Sequence, residues 1–265
     1  MTNKTTANVS QPDRSSDEKE YVAGLEKGLA IIEAFGVLNK ALTLSDAAEF
    51  TGHSRASARR SLRTLEKLGY VEWDGKYFRL APRVLRLGRA YVTSSPLHRL
   101  VQPTLEAISE RTRASASLAV LDGTDVVFVA RAATSRGLSN GLGLGSRLPA
   151  YCTSTGRVLL AALDPSDATR RLKRMALQKI TPHTNTELPV LMRLLDEVRA
   201  QGYAVAKEEL ELGVCSIAVP IRGADGQTIA SMSIATSASR RSSENIIEYL
   251  LPELEDARLA LNSLL

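Results

Sequence analysis

The sequence predicts an α+β chain: an N-terminal winged helix-turn-helix, a linker helix, and a C-terminal domain with an antiparallel sheet flanked by helices. Three observations predict it. Across residues 54–68, Ala58, Leu62, Leu65 and Leu68 fall at helical spacing, while Arg55, Arg59 and Arg63 recur every four residues on another face. A shorter helical pattern precedes this one, and Asp74-Gly75 between two β-prone runs follows it. The last third of the chain carries β-prone runs among helical ones, mixed rather than strictly alternating.

Residues 1–20 are mostly Thr, Asn, Ser, Gln, Asp, Glu and Lys, and read as a disordered tail. The winged domain is expected over residues 21–82. Leu25, Leu29, Ile32 and Phe35 give its first helix, widened by Ile31 and closed near Gly36. The second runs from about residue 44 to 50. Thr43 suits its N-cap, Asp46 its positive end, and Leu44, Ala47 and Ala48 its buried side. Thr51-Gly52-His53 breaks the pattern, and Ser54 caps the basic helix. Gly69 stops that helix; residues 70–73 and 76–80 then form the wing.

A helix with a Leu stripe on one side and guanidiniums on the other packs while presenting donors outward. Those donors suit phosphates and the acceptor edge of guanine in a major groove. The candidate DNA-binding residues are Thr43, Ser54, Arg55, Ser57, Arg59, Arg60 and Arg63, with Lys76 in the wing. The plainer alternative is a helical hairpin with a solvated Arg face. Charge favours a polyanionic partner. The whole chain is +5, and residues 21–95, with twelve Lys/Arg against seven Asp/Glu, carry +5 by themselves.

Residues 83–96 read as the linker helix. Val84, Leu85, Leu87, Tyr91 and Val92 exceed what one short helix buries alone, so a dimer contact is expected there. The second domain is expected over residues 97–265. It opens with a helix through Leu100, Leu105 and Ile108, then a hairpin pairing residues 118–121 with 126–129. The glycine-rich stretch 136–146 lacks the Lys-Ser/Thr of a phosphate loop and reads as a flexible strand or loop. Thr153 or Ser154 caps a helix through Val158 and Leu159, and two more helices follow at about 165–177 and 187–201. Strands are expected at 203–209, 215–221 and 229–236, and a closing helix after Ser242-Ser243.

Cys152 and Cys215 have neither metal-ligand nor disulfide spacing, so no metal and no cofactor is expected. No secretory signal and no apolar run of about 20 residues is seen, so a cytosolic protein without a membrane is expected.

GLEKGLAIIEAF, LEKLGYV, LPAYCTSTGRVLLA, EELELGVCSIAVPI and DGQTIASMSIA occur in that order. Together they resemble the IclR family of bacterial transcriptional regulators, most closely its PcaR/PcaU/PobR branch, over essentially everything after residue 22. That branch controls aromatic acid breakdown. The resemblance implies a GAF-like effector-binding domain, dimers or dimers of dimers, a palindromic double-stranded operator and a small organic acid effector.

By motif, the implied pocket is lined by Ser154, Thr155 and Gly156, by Cys215 and Ser216 on the strand entered after Glu208, Glu209 and Gly213, and by Ser233 and Ala235. Where some keto-acid-binding members have Gly-Ala, this chain has Ser154-Thr155; where they have Asp before the paired acids, it has Ala206. Both changes argue against a glyoxylate- or pyruvate-sized ligand. The chemistry of the helix start agrees. Its unpaired N–H groups and dipole favour an anion, the two hydroxyls donate, Gly156 allows close approach, and Arg147 offers a bidentate contact. The plainer reading has Thr153 or Ser154 only capping the helix and Arg147 pairing with a surface carboxylate. For Glu208 and Glu209, solvation is the default expectation.

Two other functions compete. One is a thiol enzyme using Cys152 or Cys215 with His183 as base, for which no local signature exists. The other is a ligand-binding module that does not touch DNA directly.

Overall fold

In the computed structural model, residues 21–38, 40–133, 142–239 and 243–262 are described. The expected tail at 1–20 and most of the glycine-rich stretch lie outside them. The chain divides into two compact units between Gly88 and Arg89.

The first unit begins with α1 (Ala23–Leu38), α2 (Leu44–Thr51) and α3 (Arg55–Lys67). Ile31, Ala34 and Phe35 of α1, Ala47 and Ala48 of α2, and Ala58, Leu62 and Leu65 of α3 share one core. The small alanines let these short helices approach closely. Thr43 and Asp46 form a reciprocal capping box at α2, and Gly52 closes it at φ +65, a left-handed conformation glycine adopts without cost. Ser54 caps α3. The wing pairs β1 (Val71–Trp73) with β2 (Phe78–Leu80). Its turn is longer than the two residues that Asp74-Gly75 suggested. Trp73 pairs with Phe78, leaving four residues between them, and the Asp74 carboxylate accepts the Lys76 and Tyr77 N–H groups and a guanidinium N–H of Arg79. These donors hold the Asp74 carboxyl at about 2. Leu42 bridges Phe78 and ties the wing to the core.

A short 3-10 turn (Pro82–Val84) leads into α4 (Leu85–Ser94), the linker helix, whose Leu85, Leu87 and Tyr91 are exposed.

The second unit follows with α5 (Pro96–Thr112), β3 (Ser115–Asp122), β4 (Asp125–Ala132) and β5 (Arg147–Pro149). Then come a 3-10 turn (Ala150–Cys152), α6 (Ser154–Ala161), α7 (Pro165–Arg174) and α8 (Leu188–Gln201). The chain closes with β6 (Ala204–Lys207), β7 (Val214–Arg222), β8 (Thr228–Ser237) and α9 (Ser243–Asn262). The six strands form one antiparallel sheet in the order β5-β4-β3-β8-β7-β6.

Alternation on these strands splits the core in two. Ala116, Leu118, Cys215, Ile217, Val219, Met232 and Ile234 pack with α5 and α9. Ala119, Phe128, Ala204 and Ala218 face α6, α7 and α8. All eight residues of α6 are buried, so it lies inside the domain against the sheet.

Candidate functional site

On α3 the Leu stripe faces inward as expected, except that Leu68 at its C-cap is 49% exposed. Arg55, Arg59 and Arg60 are exposed, and none of their guanidiniums has a hydrogen bond or ion pair among the described residues. Lys76 is exposed at the wing, over the Tyr77 ring. Three other candidates have structural work instead. The Thr43 hydroxyl is committed to Asp46, donating at 2.6 Å to a carboxylate held well below its usual range by these bonds. Ser57 is buried, because it sits where α3 meets the apolar side of the domain. Arg63 donates to Glu66 at 2.7 Å and stacks 3.9 Å over the Trp73 ring, bracing the wing against α3. Ser54 is exposed and accepts the Ser57 N–H as the α3 cap.

In the second unit a cavity of about 70 Å³ lies between the sheet and the start of α6. That is several times the about 10–15 Å³ one water needs. Its floor follows from strand register. Arg131, Ser117, Ser233 and Ala218 lie in one row across β4, β3, β8 and β7. Ser115, Ala235, Ser216 and Ala206 form the next, across β3, β8, β7 and β6. These two rows carry mainly Ser and Ala, and the cavity lies over them.

Ser154, Thr155, Ser216 and Ser233 line it, as expected. Ser154 donates to Ser216 at 2.8 Å. Ala206 and Ala235 line it as well. Three expected members do not. Cys215 alternates to the opposite face of β7 and packs into the α5–α9 core. Gly156 faces Ala150, where an added Cβ would come within 2.1 Å of the Ala150 carbonyl oxygen; close packing of the preceding turn, not ligand access, requires this glycine. Arg147 points away: it donates to Asp122 at 2.5 Å and Asp125 at 3.2 Å on the exposed β3–β4 hairpin. The strand β5, which sets its direction, was not expected.

The cavity's arginine is Arg131, half-buried beside Ser115 and over the Phe128 ring. Burial lowers its pKa from the usual guanidinium value. Register hid it. Leu118 pairs with Ala130 but Ala119 with Phe128, so β4 carries one extra residue there and Phe128 and Arg131 face the same side.

Glu209 was also missed. Expected in solvent, it is 6% exposed and bonds to Arg157, itself buried, at 2.5 Å. Arg157 further donates to the Tyr151 and Val205 carbonyls, while Asn185 donates to Glu209. Thr181 and Thr184 donate to the Glu208 and Glu209 carbonyls. Glu208 accepts the Gly213 N–H, closing its loop. Arg157 therefore ties α6, residues 181–185 and the loop after β6 together through one buried ion pair.

Neither thiol is activated by its surroundings. Burial pushes Cys152 up to about 12 and raises Cys215, so both are neutral at pH 7. No cluster able to hold a metal ion and no helix able to cross a membrane occurs among the described residues.

Comparison with known proteins bears on both units. Residues 24–75 match the IclR helix-turn-helix domain, and residues 89–262 match the bacterial transcriptional regulator IclR C-terminal domain. The Pca operon regulatory protein of Acinetobacter baylyi is 40% identical over 251 residues, 93% of this chain and 90% of that protein. The p-hydroxybenzoate hydroxylase transcriptional activator of the same organism is 40% identical over 258 residues, 94% and 95% of the two chains. An IclR homolog from Microbacterium hydrocarbonoxydans, solved with 4-hydroxybenzoate, superposes with a TM-score of 0.74 at 28% identity, covering 91% of this chain and 98% of its own. An exposed basic helix in the unit matched over residues 24–75, and a sheet domain with a partly buried cavity in the unit matched over residues 89–262, place this chain in the IclR family of DNA-binding transcriptional regulators.

Proposed function

We propose that this protein binds an operator through α3 and the wing and answers to a small aromatic acid held in the cavity beside α6. The carrying observation is the cavity's polar equipment. Arg131, Thr155 and the start of α6 line a partly buried space whose apolar walls include Phe128, Leu148 and Leu210. A helix start and a guanidinium suit a carboxylate; the walls suit a ring. Two relatives point the same way, one named for activating p-hydroxybenzoate hydroxylase and one solved with 4-hydroxybenzoate. Ser154-Thr155 and Ala206 shape the space for something other than a small keto acid.

On the DNA side, Arg55, Arg59 and Arg60 carry the operator contacts, with Lys76 on the backbone beside the wing. The exposed apolar groups of α4 and of α1, among them Leu25 and Leu29, suit a second copy of the chain. A dimer reads a palindrome with half-sites about 34 Å apart. Such a regulator works in the cytoplasm, where its DNA lies.

Fluorescence anisotropy with a labelled operator duplex tests the DNA face. Arg59→Ala should weaken binding by about 1–3 kcal/mol at some base pairs if it reads guanine, or uniformly with a shallower salt slope if it holds phosphate. Unchanged affinity at every sequence and salt concentration contradicts the assignment of α3.

A further inference from the structure

Glu209 is only 6% exposed, lines the cavity, and uses one of its two carboxylate oxygens for packing. The donors from Arg157, the Asn185 main chain and the Asn185 amide all end on Oε2. Oε1 has no donor among the described residues. Every sealed side-chain nitrogen or oxygen among those residues has a partner, so Oε1 is not sealed, and Glu209 is one of the residues lining the cavity. Thr155 is in the same position: 3% exposed, it lines the cavity, and its hydroxyl has no hydrogen-bond partner among the described residues.

We infer that Glu209 is a specificity-determining residue: its Oε1 accepts a hydrogen bond from a ring hydroxyl of the bound acid. The effector class is thereby a hydroxylated aromatic monocarboxylate, rather than an unsubstituted benzoate or a dicarboxylate. This rests on the aromatic-acid reading of the cavity.

The chemistry is one of charge and placement. Arg157 neutralises Glu209, so this end of the cavity is an acceptor without net charge. It has nothing to offer a second carboxylate, which also accepts only. A phenol or an aniline supplies the missing donor. Arg131 enters from β4 and Glu209 from the chain leaving β6, which lie toward opposite ends of the strand order. A molecule with its carboxylate toward Arg131 and its hydroxyl toward Glu209 therefore lies across the strands, its ring on the Ser/Ala floor. A site that holds an acceptor for a substrate hydroxyl discriminates strongly against analogues lacking it, because the buried acceptor is then left unpaired.

Isothermal titration calorimetry on the full-length native chain tests this with 3- and 4-hydroxybenzoate, 4-aminobenzoate, benzoate, 3- and 4-fluorobenzoate and adipate. Fluorine has nearly the size of a hydroxyl but cannot donate. The better hydroxybenzoate isomer should bind at least about tenfold more tightly than benzoate, its fluoro analogue and adipate, the order expected of a hydrogen bond to a charged group. If the better isomer is 4-hydroxybenzoate, 4-aminobenzoate should stay within about tenfold of it. Glu209→Gln should then reduce the hydroxyl-to-fluorine ratio to about threefold or less. If that variant fails to fold, the ligand series on the native chain decides alone. Equal binding of hydroxy- and fluorobenzoates overturns the inference and leaves the aromatic-acid reading standing. Binding of none of the aromatic acids overturns both.

Discussion

A guanidinium contributes to carboxylate binding according to where its side chain sits. Arg147 already holds Asp122 and Asp125 on an exposed hairpin, and exposed pairs of this kind are worth little to stability. Arg131 sits in the cavity wall, half-buried, where a charge-assisted contact is stronger than in water. Arg131→Met should therefore weaken hydroxybenzoate binding by about tenfold or more, while Arg147→Ala should change it less than about twofold. Calorimetry on the two variants, with melting curves to confirm that both fold, separates them; the reverse order would return the role to Arg147. From sequence the choice was not legible. Arg147 stands seven residues before Ser154 and looks close, whereas Arg131 is brought in by a strand pairing and a single extra residue in β4. Glu209 was hidden for a related reason. Its partner Arg157 lies 52 residues away, and nothing local marks either as buried.

At the scale of the element, α6 shows how a buried helix start comes to line the cavity. Thr153 caps it by accepting the Gly156 N–H, and Gly156 lets the preceding turn pack directly onto it. Gly156→Ala places a methyl group 2.1 Å from the Ala150 carbonyl oxygen, a backbone atom that cannot swing aside. The variant should lose at least about 1–3 kcal/mol of stability, read as a lower midpoint in urea with an unchanged slope, before any effect on ligand binding. A midpoint equal to that of the native chain would mean the turn has room. Elements with strong local signals were legible: the caps Thr43, Ser54 and Thr153, the breaks at Gly52 and Gly202, and the Leu stripe of α3. The three-residue β5 was not, because its pairing with β4 comes from a distant part of the chain and it is too short to show alternation. The wing turn was misjudged for the opposite reason. Asp74-Gly75 is a strong two-residue signal, but the Asp74 carboxylate accepts N–H groups from both Lys76 and Tyr77 and stretches the loop to four.

For the whole molecule, the division of labour was legible before the geometry was. The excess positive charge lies in residues 21–95, and the cavity lies in the second unit. Neither feature alone makes a regulator; a free-energy coupling between operator and acid does. Such couplings are commonly about 1–3 kcal/mol, and they are reciprocal, so the operator must change acid affinity by the same factor. The most direct test measures the operator dissociation constant of the full-length chain by anisotropy, without acid and with 4-hydroxybenzoate at a concentration calorimetry shows to be saturating. A shift of about fivefold or more in either direction, mirrored in the acid affinity of the DNA-bound protein, is the predicted result; an operator dissociation constant that stays the same at full occupancy of the cavity would contradict it.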